Sequence, residues 1–131
     1  MERTPVNPWP WSLEFGFSQA ELVEGHTRTL FCSGQTSADT EGRPQHAGDM
    51  PAQIGVALDN LEAVLGAAGM TLSNVVRLNF YTTDVDAFLQ SGAVLGERLG
   101  AAGIAPPGTL LGVSQLAFPE LMIELEATAV A

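Results

Sequence analysis

The sequence contains no lysine. That removes a Schiff-base amine and the phosphate-cradling lysine of a P-loop. Cys32 is its only cysteine, so neither an internal disulfide nor a multi-thiolate zinc site can form. The two histidines, His26 and His46, stand far apart in the chain and lack metal-ligand spacing. No G-x-S-x-G is present to support a serine nucleophile. Positive charge is scarce throughout. Five arginines (Arg3, Arg28, Arg43, Arg77 and Arg98) are dispersed among 15 acids, giving a net charge of −10. Nucleic acid and anionic membrane are poor partners for such a surface, because phosphate binding needs a positive field. No apolar run approaches the roughly 20 residues of a membrane span, and the first residues do not read as a signal peptide. The expectation is a cytoplasmic protein that acts on neither membrane nor nucleic acid.

What is present is enough for a core. The chain has 131 residues, 46% of them hydrophobic, which fits one domain spanning residues 1–131. Residues 1–10, MERTPVNPWP, hold three prolines and read as an irregular arm. Trp9 and Trp11 follow closely and either cap a core edge or wall a ligand cleft. FGFSQAELVEG and TRTLFCSGQ read as two strands joined in a hairpin at Glu24-Gly25. In the second, Leu30 and Cys32 share one face, and Thr29, Phe31 and Ser33 the other.

Asp49 is placed to cap a helix running to about Ala68. Its stripe of Ile54, Leu58, Leu61 and Leu65 repeats with helical period. NVVRLNFYT alternates as a strand, with Val76, Leu78 and Phe80 on one face and Val75, Arg77, Asn79 and Tyr81 on the other. Asp84 caps a second helix that buries Val85, Phe88, Leu89, Leu95 and Leu99. Pro106-Pro107-Gly108 stops it. Strands over about Thr109–Leu116 and Leu121–Val130 follow. The last places Leu121, Ile123, Leu125, Ala127 and Ala129 on one side, and Met122, Glu124, Glu126, Thr128 and Val130 on the other.

The order β-β-α-β-α-β-β predicts an α+β fold: one mixed sheet with two helices packed on one face. The other face carries Val75, Tyr81, Met122 and Val130. An apolar sheet face of that size predicts an oligomer.

FCSGQTSAD, AQIGVALDNLEAVLGAAGM, VVRLNFYTTDVDAF and the closing IELEATAV together resemble the Rid family. These are the YjgF-type reactive-intermediate deaminases, formerly labelled endoribonuclease L-PSP. The resemblance spans about residues 16–130. It implies a chorismate-mutase-like fold, a homotrimer with inward-facing sheets, and ligand clefts between subunits. It also implies hydrolysis of imines or enamines to ketones and ammonia, without metal or organic cofactor. Active members hold the substrate carboxylate with an arginine in a P-A-R-[ST] segment. Here that segment reads Pro106-Pro107-Gly108-Thr109, so Gly108 stands where a bidentate guanidinium anchor would be.

By the same resemblance, Ser33 matches the serine of S-G-Q, and Glu124 the first acid of I-E-[IL]-E. Those two are the candidate catalytic residues, Glu124 as the group that positions or activates water. Phe17 replaces a common tyrosine, Gly92 an asparagine and Leu110 a frequent cysteine. Phe17, Gly34, Arg77, Tyr81, Gly92, Gly108, Thr109 and Leu110 are the expected cleft residues. The function expected is a hydrolase for an imine or enamine other than an ordinary 2-imino acid. The alternative is a non-catalytic trimer that binds a small metabolite or a partner protein.

Overall fold

The computed structural model describes all 131 residues. Ten regular elements follow in order: β1 (Glu2–Val6), β2 (Ala20–Glu24), β3 (Thr29–Phe31), β4 (Gln35–Thr36), α1 (Met50–Ala67), β5 (Val75–Thr82), α2 (Val85–Gln90), α3 (Gly92–Ala101), β6 (Leu110–Gly112) and β7 (Ile123–Val130). The main sheet runs β3-β7-β5-β6, with β4 also paired to β7. Only β5 and β6 are parallel, so the sheet is mixed as expected.

α1 forms where its composition and cap agree. The Asp49 carboxylate accepts the Ala52 N–H at 3.1 Å, which satisfies one of the free donors of the first turn. Ile54, Leu58, Leu61 and Leu65 are all fully buried against the sheet. From β7 the same core receives Ile123, Leu125, Ala127 and Ala129. Gln53 is fully buried beside them with its amide in use. It donates to the His46 and Glu120 carbonyls at 3.1 and 2.7 Å and accepts the Met122 N–H at 2.8 Å. It thereby pins the entry to β7 against α1.

Several sequence expectations are corrected. The first residues are not an irregular arm: β1 pairs antiparallel with β2, from Glu2↔Glu24 to Val6↔Ala20. Pro5 is tolerated because β1 lies at the edge of a two-stranded ribbon, where a missing N–H is not needed. Arg3 fastens this ribbon. It pairs with Glu21 of β2 at 2.6 Å and donates to the carbonyls of Ser73 and Val75 ahead of and within β5.

The hairpin read at Glu24-Gly25 is absent. β2 has β1 as its partner, while β3 pairs with the end of β7, and Thr27 and Arg28 donate to the Ala131 carbonyl. The second helix is two helices, broken at Ser91, so three helices cover the sheet rather than two. Phe88 and Leu99 are buried as expected, but Leu89 is exposed, because the break ends the stripe it belonged to. A register shift between Val75 and Arg77 turns Val75 into the core, leaving Arg77 on the open face. The last two strands are shorter than expected, at Leu110–Gly112 and Ile123–Val130. No helix is long and apolar enough to cross a membrane.

Candidate functional site

β7 lies near the middle of the sheet, and its alternation sends Glu124 and Glu126 to the face that no helix covers. Register places Tyr81 of β5 opposite Glu124 and Asn79 opposite Glu126. On the other side Thr36 of β4 pairs with Glu124. This brings the Ser33-Gly34-Gln35 turn over the strand. A shallow depression results, lined by Gly34, Tyr81, Val113, Gln115, Leu116, Glu124 and Glu126.

Gly34 leaves the room in which the Glu124 carboxyl sits. A Cβ built on it would lie 1.8 Å from Glu124 Oε1 and 2.5 Å from its Cδ. The Glu124 carboxyl therefore occupies the volume that any other side chain at position 34 would take. Glu124 itself accepts no hydrogen bond within the chain, and its oxygens are free to meet water or ligand.

Glu126 is fixed instead. Asn79 Nδ2 and Tyr81 Oη donate to its Oε1 at 3.1 and 2.9 Å. These donors, Asn79 first, hold its carboxyl below the ordinary carboxylate range. Tyr81 responds the opposite way. Its proton is committed to Glu126, which pushes the phenol above its usual range. Asn79 Oδ1 in turn accepts the Thr109 N–H at 3.0 Å, so one amide links the start of β6 to the acid on β7.

The Gly108 segment is built differently from a clamp with its side chain removed. Leu78 N–H donates to the Pro107 carbonyl at 3.1 Å and Phe80 N–H to the Thr109 carbonyl at 2.8 Å, so residues 107–109 already run along β5. A Cβ on Gly108 would lie 1.7 Å from the Leu78 carbonyl oxygen and 2.7 Å from its carbon. Backbone fills the place where a side chain would begin.

The expected cleft residues thus separate into groups. Gly34, Tyr81 and Glu124 come together. Ser33 is next to them in sequence but is exposed and does not line the depression. Phe17, Gly108 and Thr109 lie outside it. Phe17 is half-buried, edge-on to Trp11 at 5.9 Å, and the following Ser18 N–H donates to the Ala105 carbonyl at 2.8 Å. That contact sets the aromatic segment beside the Gly108 loop. Trp9, Trp11 and Phe15 are exposed around it. Leu110 is corrected from cleft to core: its pairing with Phe80 puts it among the residues packed on the helix side. Gly92 is exposed at the start of α3, in the helix layer and away from the depression.

Arg77 lies on the open face without an acid partner, whereas Arg3, Arg43 and Arg98 are ion-paired and Arg28 donates to a carbonyl. Asn79, Glu126 and the Val113–Leu116 loop were not among the expected cleft residues. Alternation alone put Asn79 with Tyr81 and Glu126 with Glu124, so their shared face was available as a signal.

Comparison with known proteins adds the following. Residues 14–131 match the family described as Endoribonuclease L-PSP. Protein DfrA of Myxococcus xanthus is 34% identical over 87% of this chain and 84% of its own. The human 2-iminobutanoate/2-iminopropanoate deaminase is 33% identical over 55% of this chain and 50% of its own. Among solved structures, the Rid-family protein YyfB of Yersinia pestis superimposes with a TM-score of 0.85 at 36% identity, covering 100% of both chains.

Proposed function

The chain belongs to the Endoribonuclease L-PSP family, the Rid or YjgF proteins, and from that premise we propose that it hydrolyses a reactive imine or enamine. The reaction is addition of water across C=N followed by loss of ammonia, leaving a ketone or aldehyde. The observation that carries this reading is the Glu124 carboxyl seated on Gly34, unpaired and facing an open depression. Such a group can take a proton from attacking water and return it to the departing nitrogen. Ser33, exposed beside Gly34, would donate to the attacking water or to the carbonyl oxygen it becomes.

The single chain holds only part of the expected site, since Phe17, Gly108 and Thr109 stand outside the depression. In our reading a second copy completes each cleft, in a homotrimer whose sheets face inward. Phe31 and Leu111, exposed at 79% and 48%, supply apolar surface for such contacts. The whole of residues 1–131 acts as one domain, in the cytoplasm, without metal or organic cofactor. RNA cleavage fits poorly with a net charge of −10.

The closed backbone at Gly108 argues against a 2-imino acid as the substrate. A panel of imines generated in situ by amine or amino-acid oxidases, with ammonia release as the readout, tests both points. We expect a carboxylate-free imine to be hydrolysed well above the buffer rate. 2-Iminopropionate should be hydrolysed roughly 10- to 100-fold more slowly than by an arginine-bearing relative, the loss of one charge-assisted bidentate contact. Fast 2-iminopropionate hydrolysis would mean another residue supplies the anchor. No acceleration of any imine would favour a trimer that binds a metabolite or a partner protein without catalysis.

A further inference from the structure

The depression is defined by its concavity and by the Glu124–Gly34 seat, yet its charge is also unusual for a site in this setting. Its polar lining is Tyr81, Gln115, Glu124 and Glu126, and no cation lines it. Glu124 and Glu126 are neighbours on one face of one strand, about 7 Å apart along it. Both hydrogen bonds received by Glu126 fall on Oε1, so Oε2 has no partner in the chain and is free to accept from a ligand. Arg77 shares the open face, but it stands four residues before Tyr81 on β5, about 13 Å along the strand, and is not part of the lining. Gly108, where the resemblance places an arginine, lies outside the depression and supplies no cation to it. An anion entering here would meet two carboxylates and no compensating charge from this chain. A cation would meet one unpaired acceptor and one held by hydrogen bonds.

We propose that the site takes a cationic ligand, a protonated imine that bears no carboxylate, and that Glu126 is the residue that determines this choice. The proposal rests on reading the depression as the hydrolytic site. Glu124 is the acid that works on water. Glu126, oriented by Tyr81 and Asn79, supplies a fixed charge facing the ligand nitrogen. Glu126→Gln keeps an oxygen for both donors and replaces the charge and the free Oε2 acceptor with a neutral NH2.

Three planar ligands of nearly one shape separate charge from fit: benzamidinium, benzamide and benzoate. Their dissociation constants would be measured by NMR titration at neutral pH on the intact protein. Benzamidinium should bind at least about tenfold more tightly than benzamide, with benzoate weakest, the size of one partly screened charge contact. In Glu126→Gln the benzamidinium affinity should fall about tenfold while benzamide stays within about twofold. Tyr81→Phe, which frees Glu126 on one side, should narrow the same ratio by a smaller factor. Circular dichroism confirms that both variants are folded. Tightest binding by benzoate, no binding by benzamidinium, or an unchanged cation-to-neutral ratio in Glu126→Gln would overturn the proposal. Because binding is read without turnover, the two readings fail separately. A cation preference in a protein that hydrolyses no imine sinks only the hydrolase. Imine hydrolysis without the preference sinks only this assignment.

Discussion

Glu124→Gln should lower turnover by about 10³-fold, within the range general acid–base catalysis supplies, while leaving the assembled mass unchanged in native mass spectrometry. The amide is nearly isosteric and takes the place of a carboxyl that has no hydrogen-bond donor in the chain, so little stability is at risk. Loss of assembly instead would show that Glu124 is a subunit contact and not the acid–base group. The same residue can be disabled from across the turn. Gly34→Ala puts a methyl where Glu124 Oε1 now lies. The displaced atoms are the Glu124 side chain from Cγ outward and no backbone, so the side chain changes rotamer at a cost of about 1 kcal/mol. Its position for proton transfer is lost, and a displacement of that size lowers the rate by about 10²-fold. Combined with Glu124→Gln, Gly34→Ala should add almost nothing, because both remove one function. An additive double variant would separate Gly34 from the chemistry.

Gly108→Arg is the substitution that family resemblance invites, and it should fail. The obstacle at Gly108 is backbone. The Leu78 carbonyl lies 1.7 Å from the required Cβ, and Leu78 is fully buried. β5 cannot withdraw without disturbing the Pro107 and Thr109 ladder bonds and the Asn79–Thr109 contact. We expect a loss of about 3 kcal/mol or more, a fall in Tm of roughly 10 °C or beyond, and no gain in 2-iminopropionate hydrolysis. Gly108→Ala is the control. The conflict arises at Cβ, so alanine should incur most of the same loss. A Gly108→Arg protein with unchanged Tm and new 2-iminopropionate activity would show that the strand can open and that only the side chain was missing. The two glycines therefore predict opposite phenotypes: substitution at position 34 lowers rate with little change in stability, and substitution at position 108 lowers stability.

Much of the architecture was legible because its signals are local. The Asp49 and Asp84 caps, the Ile54–Leu65 stripe and the alternation of β7 from Ile123 to Ala127 each lie within one element and appear where the sequence puts them. Met122, by contrast, packs against the core and Val130 is buried, both off the open face expected for them. The errors fall where a partner distant in sequence decides. Glu24-Gly25 has the chemistry of a hairpin turn, but β1 had already taken the edge of β2. Val75 follows the alternation of its strand until a register shift turns it inward. Leu89 loses its burial to a helix break at Ser91, which has no proline to announce it.

At the site, matching one residue at a time found Glu124 and Gly34, and alternation along β5 found Tyr81, three parts of the depression. It could not find the network through Asn79 and Glu126, because that depends on register between β5 and β7. The lack of room at Gly108 was equally out of reach. A missing arginine is visible in a string of letters, but the carbonyl standing in its place is not.

That carbonyl also gives the glycine a direction in sequence space. Glycine and arginine codons can differ by a single base, so on paper the clamp is one mutation away. With residues 107–109 laid against β5, the mutation alone reaches a destabilised intermediate with no clamp in place. Restoring the arginine would require earlier changes that move the strand, and those changes bring no benefit until the arginine arrives. A chain in this state cannot gain the clamp by one substitution, although the codon table allows it.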